Sequence, residues 1–317
     1  MTTVSVVIPT WDGLDVLRLC LRSLSRQSRP ADEIVVVDNG SVDGTQAELT
    51  RDWPAVRVVR LATNHGFAGG VNAGLAAAIG DRLVLLNNDA EADVDFLEEL
   101  LRADAEAGPR VAAVTAKVLG HDGRLQDTGD FLTRWGLPVQ RGRDEPDDGR
   151  YDADLEVTSA CGGACLWRRE ALDQVGVFAQ EFFAYFEDLD LGLRARLAGW
   201  QICYAPRAVV RHAVSTTSSR IPNFQQFHNT RNLWWLVIRC APSGVLLRLL
   251  LWQVKGLVGA TGRGQLKVTL RAHASAAAGL PAALRSRRTI RQLTVLDRRQ
   301  ARALLSPSRQ RLTVGSS

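Results

Sequence analysis

The sequence predicts an α/β domain with a mostly parallel central sheet flanked by helices, followed by a basic helical extension. Over roughly the first 110 residues, short β-branched apolar runs alternate with segments of helical period, the signature of strand–helix–strand units. The chain has 317 residues, 46% of them hydrophobic, with 27 glycines, enough to bury a large core. Its charge is divided: residues 1–230 carry 23 Lys and Arg against 33 Asp and Glu, whereas residues 231–317 carry 16 basic residues and one acid, Asp297. The expected organisation is an acidic α/β domain over 1–230 and an apolar, basic extension over 231–317, the two meeting different partners.

The first strand is Val4 to Ile8, a nearly continuous apolar run that ends at Pro9. Leu14 to Leu24 then repeats apolar residues at helical spacing. The alternation continues with strands at Ile34–Val37, Val56–Leu61 and Leu83–Leu86, each trailed by a helical segment, at 44–51, 68–79 and 94–107. Right-handed crossovers follow. Ligands of such sheets bind beyond the carboxyl ends of the strands. That directs attention to Pro9-Thr10-Trp11, Asp38-Asn39-Gly40-Ser41, Asn64-His65-Gly66 and Asn87-Asn88-Asp89. Past residue 120 the apolar pieces shorten, and the polar stretch 140–154 reads as a surface loop. From Asn232 the chain turns apolar and basic, with Leu233–Ile238 and then Val245–Val258 interrupted only by Arg248 and Lys255. No uncharged run there reaches the roughly 18 residues of a spanning helix. Arg248 and Lys255 are seven apart and share a helical face, as in a helix lying on a membrane surface.

Several chemistries are absent from the pattern. No G-x-G-x-x-G follows the first strand and no G-x-x-x-x-G-K-[ST] occurs, so neither a dinucleotide fold nor a P-loop is supported. Five scattered cysteines and no basic-then-apolar leader point to reduced thiols and a cytosolic site of work. Cys161 and Cys165 lack a second pair to complete a zinc site. The aromatic run Phe182–Phe186 leads straight into Glu187, Asp188 and Asp190. A carboxylate against apolar walls makes a general base, and acids at this place equally open the helix continued by Leu189, Leu193 and Leu197. The residues alone leave both readings open. Asp38, at a strand end, can accept a hydrogen bond from a nucleobase N–H, while Asn39-Gly40 forms a tight turn. Asp89 at the mouth of the sheet can hold Mg²⁺ or Mn²⁺ against a diphosphate, with His212 after the apolar Ala208–Val210 as a further ligand. The glycines of Gly66–Asn72 allow close backbone approach to an anion at a helix start, or tight helix packing.

Taken together, Val4-Ser-Val-Val-Ile-Pro-Thr-Trp11, Val35-Val-Val-Asp-Asn-Gly-Ser-Val-Asp-Gly-Thr45, Asn64-His-Gly-Phe-Ala-Gly-Gly-Val-Asn-Ala-Gly74, Leu85-Leu-Asn-Asn-Asp89, Gly162-Gly-Ala-Cys-Leu-Trp-Arg-Arg-Glu-Ala-Leu172 and Phe183-x-x-Phe-Glu-Asp-Leu-Asp-Leu191 resemble family 2 glycosyltransferases in content and order. The resemblance spans about residues 4–215 and looks closest to the rhamnosyltransferase branch. It implies a GT-A fold and an inverting transfer of sugar, in the best reading L-rhamnose from dTDP-rhamnose, from a dTDP or UDP donor. By motif, Asp38 contacts the base, Asp89 is the metal-binding acid of the family's Asp-x-Asp, His212 matches a late metal-coordinating His, and Asp188 is the catalytic base with Glu187 its rival. Asn87 stands where many members carry the first Asp. Pro9, Thr10, Asn39, Asn64, Gly66, Asn72, Asn88 and Arg231 complete the expected nucleotide-sugar contacts.

The acceptor implied is a polyprenyl-linked or cell-envelope saccharide. An acidic catalytic part beside a basic, Trp-bearing one suggests a cytoplasmic enzyme resting on the anionic inner face of the plasma membrane, through Trp234, Trp235, Trp252, Arg248 and Lys255. Nucleic acid is not an expected partner, because no recognition motif accompanies the basic charge. Two other readings stay open at this point. A sugar-nucleotide nucleotidyltransferase shares the sheet, but Trp11-Asp12-Gly13 supplies no cation for a triphosphate loop. A membrane-attached, non-catalytic nucleotide-binding scaffold would not need Glu187, Asp188, Asp89 and His212 together.

Overall fold

The computed structural model describes residues 2–212, 221–242, 244–262 and 264–305. In chain order the first half contains β1 (Val4–Thr10), α1 (Leu14–Leu24), β2 (Glu33–Asp38), α2 (Thr45–Asp52), β3 (Arg57–Arg60), α3 (Gly66–Ala77), β4 (Arg82–Leu86), β5 (Ala90–Ala92), α4 (Phe96–Glu106) and β6 (Val111–Leu119). There follow β7 (Leu125–Asp127), β8 (Asp130–Leu132), β9 (Pro138–Gln140), β10 (Ala164–Arg168), α5 (Arg169–Val175), α6 (Glu187–Leu197) and β11 (Gln201–His212). The chain closes with α7 (Phe224–Cys240), α8 (Gly244–Gly262), α9 (Leu266–Ala278), α10 (Leu280–Leu293) and α11 (Arg298–Ala303). Each of the four expected strands and four expected helices of the first 110 residues appears where the pattern put it.

The main sheet runs β3-β2-β1-β4-β10-β6-β11-β5, with β7 beside β6. Its leading half is parallel, whereas β10 runs antiparallel between β4 and β6 and β5 antiparallel on β11. Period-two alternation divides the core. Val7, Val35, Val37, Leu83 and Leu85 face α3, α5 and α6, while Val6, Ile8, Val36, Val84 and Leu86 face α1 and α4. Both faces are covered, which is why β1, β2 and β4 read as continuous apolar runs rather than alternating ones.

The extension is not a separate appendage. The boundary expected at 230/231 falls inside α7, and Leu233, Trp235, Leu236 and Cys240 of that helix share a core with Phe182, Leu189, Leu193 and Leu197 and with Ile290 of α10. Asp190 does more than open a helix. It is fully buried between Arg194 (Nε–Oδ2 2.8 Å) and Arg239 of α7 (Nε–Oδ1 2.6 Å), so this carboxylate ties α6 to α7.

The polar stretch 140–154 is likewise anchored, correcting its reading as a plain surface loop. Arg141 is fully buried, donates to the Thr128 and Asp154 carbonyls (2.6 and 2.7 Å), and lies over the rings of Phe131, Tyr151 and Tyr204. Two places expected to touch membrane turn inward: Trp235 is buried with its indole N–H on the Ala276 carbonyl, and Trp234 donates to His273. On α8, by contrast, Leu246, Leu247, Leu250, Leu251, Trp252 and Val254 are exposed. That helix has 19 residues and, by length and composition, is apolar enough to cross a membrane.

Candidate active site

A cleft of about 970 Å³ opens at the carboxyl ends of β1 and β4 and extends to the start of α6 and the end of β11. It is lined by Pro9, Thr10, Asn39, Asn64, Gly66 and Asn88 among others, six residues the strand-end rule selects. Their side chains are knitted together. Asn39 donates to the Gly66 carbonyl (2.9 Å) and Asn64 Oδ1 (3.1 Å) and accepts from the His65 N–H (2.9 Å), while Asn88 donates to Thr10 Oγ1 (2.9 Å). Gly66 has φ +72, and a Cβ there would sit 2.3 Å from the Phe183 carbonyl oxygen. Only glycine allows that approach.

Asp38 lies beneath this rim and does not itself line the cleft; it is fully buried, with Oδ1 accepting from the Ser41 N–H (2.8 Å). Its Oδ2 has no hydrogen-bond partner among the described residues. A buried carboxylate oxygen left unmet is costly. Two expected contacts lie elsewhere. Asn72 pairs with the Phe178 backbone in both directions (2.8 and 3.1 Å), and Arg231 donates to the Phe182 carbonyl (2.8 Å) and stacks over Trp235; neither lines the cleft.

At one end of the cleft His212 Nε2 lies 2.9 Å from Asp89 Oδ1 and 3.3 Å from Asn87 Nδ2. Gln126 fixes the ring. Its Nε2 donates to the His212 carbonyl (3.0 Å), so its Oε1 faces His212 Nδ1 at 2.9 Å and accepts from it. Nε2 is thereby turned toward Asp89 and Asn87. One carboxylate and one imidazole, with an amide alongside, form a donor set that suits Mn²⁺ or Mg²⁺ when phosphate oxygens and water complete the shell. Among the described residues no group of three or more His, Cys, Asp or Glu converges on a metal site, so any ion here depends on its ligand for the remainder.

At the acidic end the aromatic run brings Glu187 and Asp188 to the cleft wall. Asp188, in the first turn of α6, accepts from the Gly162 N–H (3.2 Å) and from its own helix at Leu189 N–H (2.8 Å), and keeps part of its surface open to the cleft. Burial pushes its carboxyl above the usual range, with those two N–H groups pulling the other way. Glu187 is more deeply buried, its Oε2 is without a partner among the described residues, and burial followed by the charge of Asp188 raises it well above the ordinary value. Of the two acids, Asp188 is the one that accepts from the backbone of another segment, at Gly162.

Three lining residues escape a motif reading: Gln126, Asp127 and Asp130. Asp127 and Asp130 are buried and joined side chain to side chain, with Asp127 also accepting from the Gly129 N–H (2.5 Å) and Gln140 Nε2 (3.1 Å). Burial lifts Asp127 to about 6, and burial together with Asp127 and Asp188 lifts Asp130 well above its usual value. The sequence signal is a pair of acids three apart around a Thr-Gly turn, at Gln126-Asp-Thr-Gly-Asp130.

A family model described as "Glycosyl transferase family 2" matches residues 5–176. The chain is 28% identical over 246 residues to an N-acetylglucosaminyl-diphospho-decaprenol L-rhamnosyltransferase of Mycobacterium tuberculosis, an alignment covering 68% of this chain and 78% of that protein. It is 32% identical over 234 residues to the O-antigen biosynthesis protein RfbC of Myxococcus xanthus, covering 69% of this chain but 18% of that longer protein. In three dimensions it is similar to the mannosyltransferase PcManGT of Pyrobaculum calidifontis, solved with GDP-Man and Mn²⁺, with TM-score 0.54, 19% identity, and coverage of 96% and 87% of the two chains. The fold is GT-A, an α/β arrangement with a curled, mostly parallel central sheet between helices.

Proposed function

The chain belongs to glycosyl transferase family 2, and from that premise we propose that it moves L-rhamnose from dTDP-rhamnose to a hydroxyl of a lipid-linked saccharide by a single inverting displacement. One observation carries the reading. Asp188 at the start of α6, Asp89 just after β4 and His212 at the end of β11 line the same cleft, whose wall includes Asn64, Gly66 and Phe67. The identity of the sugar and of the acceptor rests on the Mycobacterium tuberculosis relative, whose name gives both.

In this mechanism Asp38 receives the base through its unmet oxygen, and Asn39, Asn64 and Gly66 shape the wall beside the donor. A divalent ion, when bound, would be held by Asp89 and His212 with Asn87 beside them, and supplies charge neutralisation to the departing diphosphate. Asp188 takes the proton of the acceptor hydroxyl as that oxygen attacks the anomeric carbon, so one displacement inverts the configuration. Its raised proton affinity strengthens it as a base. Glu187, more buried and with Oε2 unmet among the described residues, lies in the same wall.

The extension fits a membrane-borne acceptor. The exposed apolar face of α8, flanked by the cation excess of residues 231–317, suits an anionic cytoplasmic leaflet. A thermal-shift panel of dTDP-rhamnose, UDP-galactose, UDP-glucose and GDP-mannose tests the donor assignment. A ligand at 100 times its Kd stabilises by about 2.7 kcal/mol, and dTDP-rhamnose is expected to raise the Tm most. A larger shift from another sugar nucleotide would overturn the rhamnose assignment.

A further inference from the structure

The segment that delivers Asp188 is held from outside the catalytic motifs. Phe183, Tyr185 and Phe186 all lie at left-handed φ, +66, +71 and +70, in three non-glycine residues within four positions. Each such residue is strained and persists only where its surroundings hold it. The holder here is Asn232 of α7. It is fully buried, and its Nδ2 faces three backbone carbonyls of that segment, Phe182 (2.9 Å), Ala184 (2.8 Å) and Tyr185 (2.8 Å). Arg231 adds a hydrogen bond from Nη2 to the Phe182 carbonyl (2.8 Å) and a longer one to that of Glu181 (3.2 Å). Arg239, two turns further along α7, joins Asp190 to Glu181.

The held segment has two neighbours in the site. Its last residue precedes Glu187 and Asp188 directly, and the Phe183 carbonyl accepts from the Ala68 N–H (3.2 Å) and abuts Gly66 at the start of α3. The contacts of α7 therefore reach both walls of the cleft through one strained turn.

We propose that Asn232 is a positioning residue for sugar transfer, the point through which the C-terminal helices set the placement of Asp188. The inference rests on the reading of Asp188 as the base. An amide nitrogen is what the three carbonyls demand. Asn232→Asp keeps the shape but turns an oxygen toward three oxygens, so the segment must open.

The test uses the full chain with dTDP-rhamnose as probe, and compares wild type with Asn232→Asp, Arg231→Gln and Thr230→Val. Thr230 sits on the same helix and meets Gln226 rather than the segment. Two readouts are taken: hydrogen–deuterium exchange of the peptide spanning 181–190, and the rate of nucleoside diphosphate release. Asn232→Asp is expected to expose that peptide while α7 stays protected, and to slow release by about 10²-fold, the scale of a misplacement near 1 Å. Arg231→Gln is expected to shift both in the same direction by less, and keeps the test open should Asn232→Asp not fold. The acid limb of the pH–rate profile moves in both. Unchanged exchange and release in the two variants, or an equal loss in Thr230→Val, would overturn the proposal. Absence of any release by wild type would instead defeat the functional reading, while the exchange comparison still decides the structural role.

Discussion

His212 Nε2 lies 2.9 Å from Asp89 Oδ1, and the ring is aimed there by Gln126, which contacts both Nδ1 and the carbonyl of the same histidine. A strand end, a sheet mouth and a third strand thus converge on one small polar site. Loss of Gln126 frees the ring to rotate while removing no ligand. Gln126→Leu is expected to weaken Mn²⁺ binding, measured by calorimetry in the presence of the nucleoside diphosphate, by about 10- to 100-fold, with His212→Ala and Asp89→Asn losing more. Equal Mn²⁺ affinity in Gln126→Leu and wild type would show that the amide does not orient the site.

Asp188 carries a pH prediction. Burial raises its carboxyl, and a base works only when ionised, so kcat/KM should climb with pH through that raised value and level off above it. The midpoint is expected above the usual Asp range near 3.9. A rate that falls as pH rises over that window contradicts the assignment.

Asp127 makes the opposite demand on stability. Its folded value is about 6 against an ordinary 3.8, so the native state holds a proton the unfolded chain has lost. The stabilisation is fully present below about pH 4 and is lost as pH rises through 6. The difference amounts to no more than about 3 kcal/mol at 1.36 kcal/mol per unit. Asp127→Asn should therefore flatten the fall in Tm between pH 4 and 7 seen in wild type. An identical pH dependence in the two proteins would rule this out.

Asp190 is buried between Arg194 and Arg239, and removing Arg239 leaves its carboxylate with Arg194 alone. Arg239→Met is expected to destabilise by about 1.5–3 kcal/mol, the scale of lost hydrogen bonds to a buried charged group, read by denaturant unfolding. A change below about 1 kcal/mol would mean that α7 is held to α6 by the apolar contacts of Leu233, Leu236 and Cys240 alone.

Much of the first half was legible because its signals are local. Val4–Ile8, Ile34–Val37 and Leu83–Leu86 are buried on both faces of a sheet, so their apolar runs name them as strands, and the polar residues that follow them name the cleft. Asp188 and His212 were legible by motif and strand position. What the sequence did not show depends on long-range contact. Asp190 reads as a helix-opening acid until Arg239, 49 positions on, packs against it. Arg141 looks like a loop cation until three aromatic rings surround it. Arg231 and Asn72 are polar residues near binding motifs, yet both hydrogen-bond to backbone of the 178–182 region instead of lining the cleft. Gln126 and Asp127 carry no motif, and only the pairing of β7 with β6 brings them to the end of β11.

Release of nucleoside diphosphate from dTDP-rhamnose, followed for wild type and Asp188→Asn with Mn²⁺ and with chelator, bears on the whole mechanism at once. Wild type should release the nucleotide only with metal, and Asp188→Asn should be slower by about 10²- to 10⁴-fold with its nucleotide affinity and Tm retained. Equal rates in the two proteins would remove Asp188 from the chemistry, and release that is indifferent to chelator would remove the metal from Asp89 and His212.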